Sequence, residues 1–179
     1  MTDSSVPGLL QELTSRDRHD PHDGLVRLIV RSRARESCEY CLAPALGQFH
    51  LDHIIPGKCW KQYTEGKLVP LLPSLGRRGP DHLDNYALSC AFCNSRKQDR
   101  VSLRLWGRRI RLFDPRLDSW SEHFMFANRY LHLVGKTPVG QATEQALGFN
   151  HAELDGPLGV RHQLIVTGHY PPPWAVREM

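Results

Sequence analysis

Cys38-Glu-Tyr-Cys41 opens, and Cys90-Ala-Phe-Cys93-Asn94-Ser-Arg-Lys97 closes, a stretch that contains Phe49-His50-Leu51-Asp52-His53-Ile54-Ile55-Pro56 and, further on, Asp84-Asn85. Two Cys-x-x-Cys pairs at this spacing suit one tetrahedral zinc ion. Four sulfurs close the coordination shell, so such an ion is expected to be structural. Unrelated buried cysteines are the bland alternative. Between the pairs, Asp52 and His53 adjoin on a segment of strand composition. Neighbours on a regular strand point to opposite faces. Both reach one site only if the strand ends or bends there, and Pro56 and Gly57 just downstream allow that. Asn94 follows the last cysteine, on the first turn of an expected helix. Asp and Asn oxygens suit a hard ion such as Mg²⁺. That leaves His53 to act as a base.

The flanking chain reads as one domain over residues 23–179, preceded by a loosely held, flexible arm over 1–22. Asp23 caps a helix in which Leu25, Leu28, Ile29 and Ser32 share one face. A strand with Val26, Leu28 and Val30 alternating is the weaker reading. Strands are expected at Phe49–Ile55 and Tyr86–Cys90, and a helix from Ala91 or Phe92 to about Arg100. Residues 57–83, punctuated by Gly and Pro, read as an insertion with a short helix near Cys59–Tyr63. The core motif spans 38–100 and a C-terminal extension spans 101–179. In the extension a hairpin turns at Gly107 and a strand lies around His123–Phe126. Thr137-Pro138 starts a helix with Ala142, Ala146 and Leu147 facing inward, stopped by Gly148 or Asn150. A last helix is expected within Leu158–Val166, and Pro171-Pro172-Pro173 is expected to end the fold.

Twenty-three Lys and Arg against 19 Asp and Glu give a formal net charge of +4, too mild to name a partner by itself. The distribution is more specific. Arg96, Lys97, Arg100, Arg104, Arg108, Arg109 and Arg111 run together against Asp99 alone, and Arg27, Arg31, Arg33 and Arg35 form a second cluster. A charge run is usually a solvated face, but both runs flank the proposed site, as a phosphate-binding surface would. Lys97 lies one helical turn after Asn94, so it is expected to grip a phosphate, with Arg96 and Arg100 tracking the backbone. His50 has the strand parity of Asp52 and is expected near the site. Cys59, the odd cysteine, reads as a small buried residue. No apolar run reaches the ~20 residues of a membrane span, and residues 1–5 carry no secretory pattern. A cytoplasmic protein is expected.

With these residues in view, the chain resembles the HNH endonucleases, whose fold is the ββα-metal finger, and among them the subgroup with two zinc-binding Cys pairs. The likeness rests on Cys38-x-x-Cys41, His50-x-Asp52-His53-Ile54-Ile55-Pro56, Asn85, and Cys90-x-x-Cys93-Asn94-x-x-Lys97, taken in that order. It covers about 60 residues. Beyond them, Leu112-Phe113-Asp114-Pro115-Arg116, Trp120-Ser121-Glu122-His123-Phe124 and 135–143 resemble the tail of many bacterial HNH proteins of unassigned role. The resemblance implies an α+β fold in which a structural zinc on the four cysteines clamps an HNH finger extended by C-terminal strands and helices. It implies hydrolysis of phosphodiester bonds, most simply in double-stranded DNA, leaving 5′-phosphate and 3′-hydroxyl ends. His53 would be the general base, Asp52 and Asn94 the ligands of one Mg²⁺ or Mn²⁺, and Asn85 the residue that holds the loop and orients His53. Two departures stand out: Asn94 occupies a position where many members have His, and the gap from Pro56 to Asp84 exceeds the usual short loop. Competing readings are a zinc-stabilised nucleic-acid-binding module without catalysis, and a nuclease subunit active only with a partner bound through the insertion or the extension.

Overall fold

The computed structural model describes residues 11, 13, 15–47, 49–68, 72, 77–152 and 157–177. These form a mixed α/β fold with three two-stranded antiparallel sheets. Helix α1 (Gly24–Arg33) begins where the Asp23 carboxylate accepts the Leu25 N–H at 2.7 Å, the expected cap. Its inward face differs from expectation. Val26 and Val30 are buried, whereas Leu28 is 60 % exposed. Five of the six residues from Leu25 to Val30 are apolar, so the sequence offers two overlapping stripes. Packing against the second strand selects the valines.

Strand β1 (Phe49–His53) pairs antiparallel with β2 (Tyr86–Cys90), placing Asp52 opposite Ala87 and His53 opposite Tyr86. All five β2 residues are buried. β2 runs straight into helix α3 (Ala91–Lys97), with Cys90 at the cap position. Between the strands, helix α2 (Gly57–Thr64) belongs to an apolar cluster of Ile55, Tyr63, Leu68, Leu72 and Val101. The insertion therefore brings a small core of its own. Cys59 is half-buried there, not enclosed as expected.

The extension wraps this unit. Strands β3 (Ser102–Leu105) and β4 (Arg108–Arg111) form the expected hairpin. A short helix α4 (Trp120–His123) leads into β5 (Phe124–Ala127), which pairs with β6 (His132–Gly135). Helix α5 (Pro138–Leu147) starts with Thr137 Oγ1 accepting the Gly140 N–H at 3.1 Å and ends at Gly148, φ 60°. Ala142, Ala146 and Leu147 are buried as expected. The first turn of α5 lies so close to β6 that a Cβ on Gly135 would come within 2.3 Å of the Gln141 nitrogen.

Helix α6 (Pro157–Val166) follows, and the proline run does not end the fold. Helix α7 (Pro173–Arg177) continues it, with Tyr170, Ala175 and Leu42 forming a third apolar cluster. Nor is the end of the N-terminal arm loose. Leu13 and His19 are buried, the His19 N–H donates to Asp81 O, and Tyr86 Oη donates to His19 O at 2.8 Å. Residues 1–10 of that arm lie outside the described residues. Among the described residues no helix is long and apolar enough to cross a membrane.

Candidate metal centre and adjoining polar recess

Cys38 and Cys41 sit on the turn after α1, and Cys90 and Cys93 straddle the β2–α3 junction. The four sulfurs lie within 4.8 Å of one another, and all four residues are buried. None forms a disulfide. Cys41 Sγ and Cys90 Sγ are 3.7 Å apart. Four sulfurs set tetrahedrally at about 2.3 Å from zinc would be about 3.8 Å apart. The Cys93 N–H points at Cys90 Sγ at 3.5 Å. Burial, and then the neighbouring sulfurs, push the Cys93 thiol well above its ordinary range. The charge of a bound cation is what lets such a group of thiols deprotonate together. Four buried thiols so close together can hold a zinc ion.

The residue after Cys93 faces elsewhere. Asn94, Ser95, Gln98 and Asp99 from α3 and its C-terminal turn meet Asp52 and His53 from the end of β1 around an open recess of about 460 Å³. Adjacent strand residues share it because β1 stops at His53 and the chain bends at Ile54. Asn85 maintains that bend. It is fully buried, its Nδ2 donates to Ile55 O and Pro80 O at 2.9 Å each, and its Oδ1 accepts the Ile55 N–H at 3.0 Å.

His53 Nε2 is 3.0 Å from Asp81 Oδ1, and its ring tilts on that of Tyr86, centroids 5.1 Å apart. Asp81 also accepts from Arg18 Nη2 at 2.9 Å. Burial pulls the Asp81 carboxyl upward, but the bonds from His53 and Arg18 outweigh it and hold the group below the usual carboxylate range. An ionised carboxylate only accepts, so Nε2 carries a ring proton, and in the neutral ring the lone pair is on Nδ1.

Asp52 is buried. Tyr40 Oη donates to its Oδ2 at 2.6 Å and Lys97 Nζ lies 2.9 Å from the same oxygen. Burial raises the Asp52 carboxyl above its ordinary range despite Lys97 and Tyr40. The same burial, reinforced by Asp52, drives the Tyr40 phenol well up. Lys97 also donates to His53 O at 2.7 Å and is only 1 % exposed. It is therefore a strut inside the fold, not the phosphate grip expected from its spacing. A carboxylate offers about four lone-pair sites, so two donors leave Asp52 with capacity for a cation. Asp52 and Asn94, which both line the recess, carry oxygens of the type that hard divalent ions take.

The remaining expected contacts fall elsewhere. His50 is exposed and does not line the recess, although it lies on the same strand as Asp52 and His53. Arg100 Nη1 donates to Arg96 O and Ala146 O at 3.2 Å each, and the Arg96 guanidinium packs on Gly148. Both arginines thus tie α3 to the C-terminal end of α5. In the second basic cluster, Arg27 Nη2 donates to Phe49 O at 2.9 Å, Arg33 donates to Leu83 O and Tyr86 O, and Arg31 pairs with Glu36. Burial lowers Arg33 to about 10. Arg27, Arg31 and Arg33 thus make contacts within the fold.

Two site residues escape sequence reasoning. Tyr40 lies inside the first Cys-x-x-Cys turn, so its inward aim follows from the two sulfurs beside it. Asp81 has no spacing to His53 that would reveal it. Compared with models of known families, with curated proteins and with solved structures, the chain matches none.

Proposed function

We propose that the chain is a metal-dependent endonuclease of the HNH type, hydrolysing phosphodiester bonds in double-stranded DNA, with a structural zinc on Cys38, Cys41, Cys90 and Cys93. The observation that carries this reading is the meeting of Asp52, His53 and Asn94 in one open recess, although the pair and the amide are far apart in sequence. His53, with Nε2 held by Asp81, offers a lone pair to take a proton from water attacking the phosphorus. Asp81 fixes the tautomer and supports the cation that forms. Asn85 keeps the segment after β1 bent so that His53 and Asp52 face the same space. Asp52 and Asn94 would hold one Mg²⁺ or Mn²⁺. When bound, such an ion supplies Lewis-acid stabilisation of the charge that develops on the phosphate and on the leaving 3′ oxygen. A thiolate zinc site fits a reducing compartment such as the cytoplasm.

The Asp52–Lys97 ion pair favours a second reading. Lys97 neutralises the carboxylate that would attract the catalytic ion, as suits a zinc-stabilised nucleic-acid-binding module without catalysis. The test is incubation of zinc-loaded protein with supercoiled plasmid. Nicked or linear products that need added Mg²⁺ or Mn²⁺, and whose ends a DNA ligase can reseal, support the nuclease. DNA binding without cleavage under any divalent ion supports the module.

A further inference from the structure

The β3–β4 hairpin has two features that work against its own stability. Its turn is Trp106-Gly107, with φ 49° and 76°. Two positive φ values mark the type I′ turn, which takes Asn or Asp ahead of Gly without difficulty. A bulky residue there is an outlier. Packing does not account for it, because Trp106 is 69 % exposed. The second feature is the register, which sets Arg104 directly opposite Arg109. Like charges in that relation are destabilising. Arg109 touches Ser102 Oγ at 3.1 Å, and Arg111 on the same face takes up Asp118. No carboxylate pairs with Arg104, Arg108 or Arg109 among the described residues. Leu103, Leu105 and Ile110, on the opposite face, pack on the core. Arg108 shares their parity and is nevertheless exposed, so the tip extends past the core.

We propose that this hairpin is a docking ribbon for duplex DNA, with Arg104, Arg108 and Arg109 on phosphates and Trp106 against a base or sugar. For its occupant the inference rests on the nuclease reading. The strain and the unpaired charge stand without it, and local strain of this kind clusters at ligand-binding positions. A two-stranded ribbon fits the major groove, and an aromatic ring gives a stacking surface indifferent to sequence. An anionic membrane would want several apolar side chains at the tip, and only Trp106 points outward there. The hairpin is also near the recess. Asp99 lines the recess and β3 starts at Ser102, so at most about 11 Å of chain separates them.

The experiment measures fluorescence anisotropy of a labelled DNA duplex with the full zinc-loaded chain, across salt concentrations and without added Mg²⁺ or Mn²⁺. The variants are the Arg104→Gln/Arg108→Gln/Arg109→Gln triple, Trp106→Ala, and Arg31→Gln as a control. Losing three phosphate contacts should cut the slope of log K against log salt by about 2.7. Trp106→Ala should weaken binding about tenfold with little change of slope, and Trp106 fluorescence should be quenched by duplex in the parent. Melting temperatures should hold or rise in the triple variant, because a repulsive pair is removed. Parent-like binding and slope in the triple variant would overturn the ribbon while leaving plasmid cleavage, and so the nuclease reading, intact. A marked fall in melting temperature would also overturn it, by giving the arginines a structural role. So would tighter binding to phosphatidylserine vesicles than to DNA, abolished by Trp106→Ala. If the triple variant loses duplex binding but His53→Ala cleaves normally, the ribbon stands and the recess reading fails.

Discussion

Lys97 joins the Asp52 carboxylate to the His53 carbonyl from inside the fold. Removing one partner of a buried pair leaves an uncompensated charge, which costs about 3–5 kcal/mol. Lys97→Met is therefore expected to lose about that much at neutral pH in urea denaturation. Without Lys97, burial of Asp52 is opposed only by the weaker effects of Tyr40 and His53, and its folded-state pKa rises further above the unfolded value of about 3.9. A group raised in this way favours the fold below the unfolded pKa and loses that contribution as pH rises through the folded one. The deficit of the variant should thus be small near pH ~4 and grow toward neutrality. A deficit independent of pH would uncouple Lys97 from Asp52. The spacing of Lys97 after Asn94 put it on the correct side of α3 in the sequence. Whether that side faces solvent or the underside of β1 depends on packing between segments 45 residues apart, which spacing does not encode. The Asp52-His53 pair, Asn85 and Asn94 stand out in the sequence because each lies next to a clustered cysteine or a strand end. Asp81 was not, because its partner is 28 residues away across the insertion.

Elements with local start and stop chemistry are legible in the sequence. The Asp23 cap, the Thr137-Pro138 start and the Gly148 stop each satisfy orphan backbone groups at a helix end. Strand β6 and helices α4 and α7 carry no such local signal, because tertiary packing creates them. Trp120 Nε1 reaches Tyr40 O at 3.0 Å, and Ala175 closes on Leu42 and Tyr170. The join between β4 and α4 carries its own test. Asp118 receives Arg111 Nη1 at 2.5 Å and Nη2 at 2.6 Å, and the Asp114 N–H at 2.9 Å. Burial pulls its carboxyl upward, but these donors prevail and hold it below the usual range. A depressed carboxylate stabilises the fold above its unfolded pKa and loses that contribution as pH falls through the folded value. Asp118→Asn should cost about 1–3 kcal/mol at neutral pH, and thermal melts should show the gap closing below about pH 4. A constant gap would mean that shape, and not charge, makes the join.

Across the whole molecule, the cysteine cluster ties the turn after α1 to the β2–α3 junction, and the main core packs around it. A zinc there would contribute folding free energy on the order of 10 kcal/mol. Metal analysis should give one zinc per chain, and Cys90→Ser should lose both the zinc and the cooperative melt. An unchanged melt after zinc loss would remove the ion from the fold's support. The mixed α and β class and the cysteine site were readable from spacing, since two Cys-x-x-Cys pairs constrain where the segments that carry them meet. The wrapping of the extension was not, because α5 contacts β3, β4, β6 and α3 through small residues with no distinctive pattern. The recess is tested most directly by one comparison. Plasmid cleavage rates are measured for the parent and for His53→Ala, both shown to hold one zinc, to melt alike and to bind DNA alike. The nuclease reading predicts a loss of about 10²–10⁴ in rate, recovered in part at high pH and not by more Mg²⁺. Equal rates in the two proteins would contradict it.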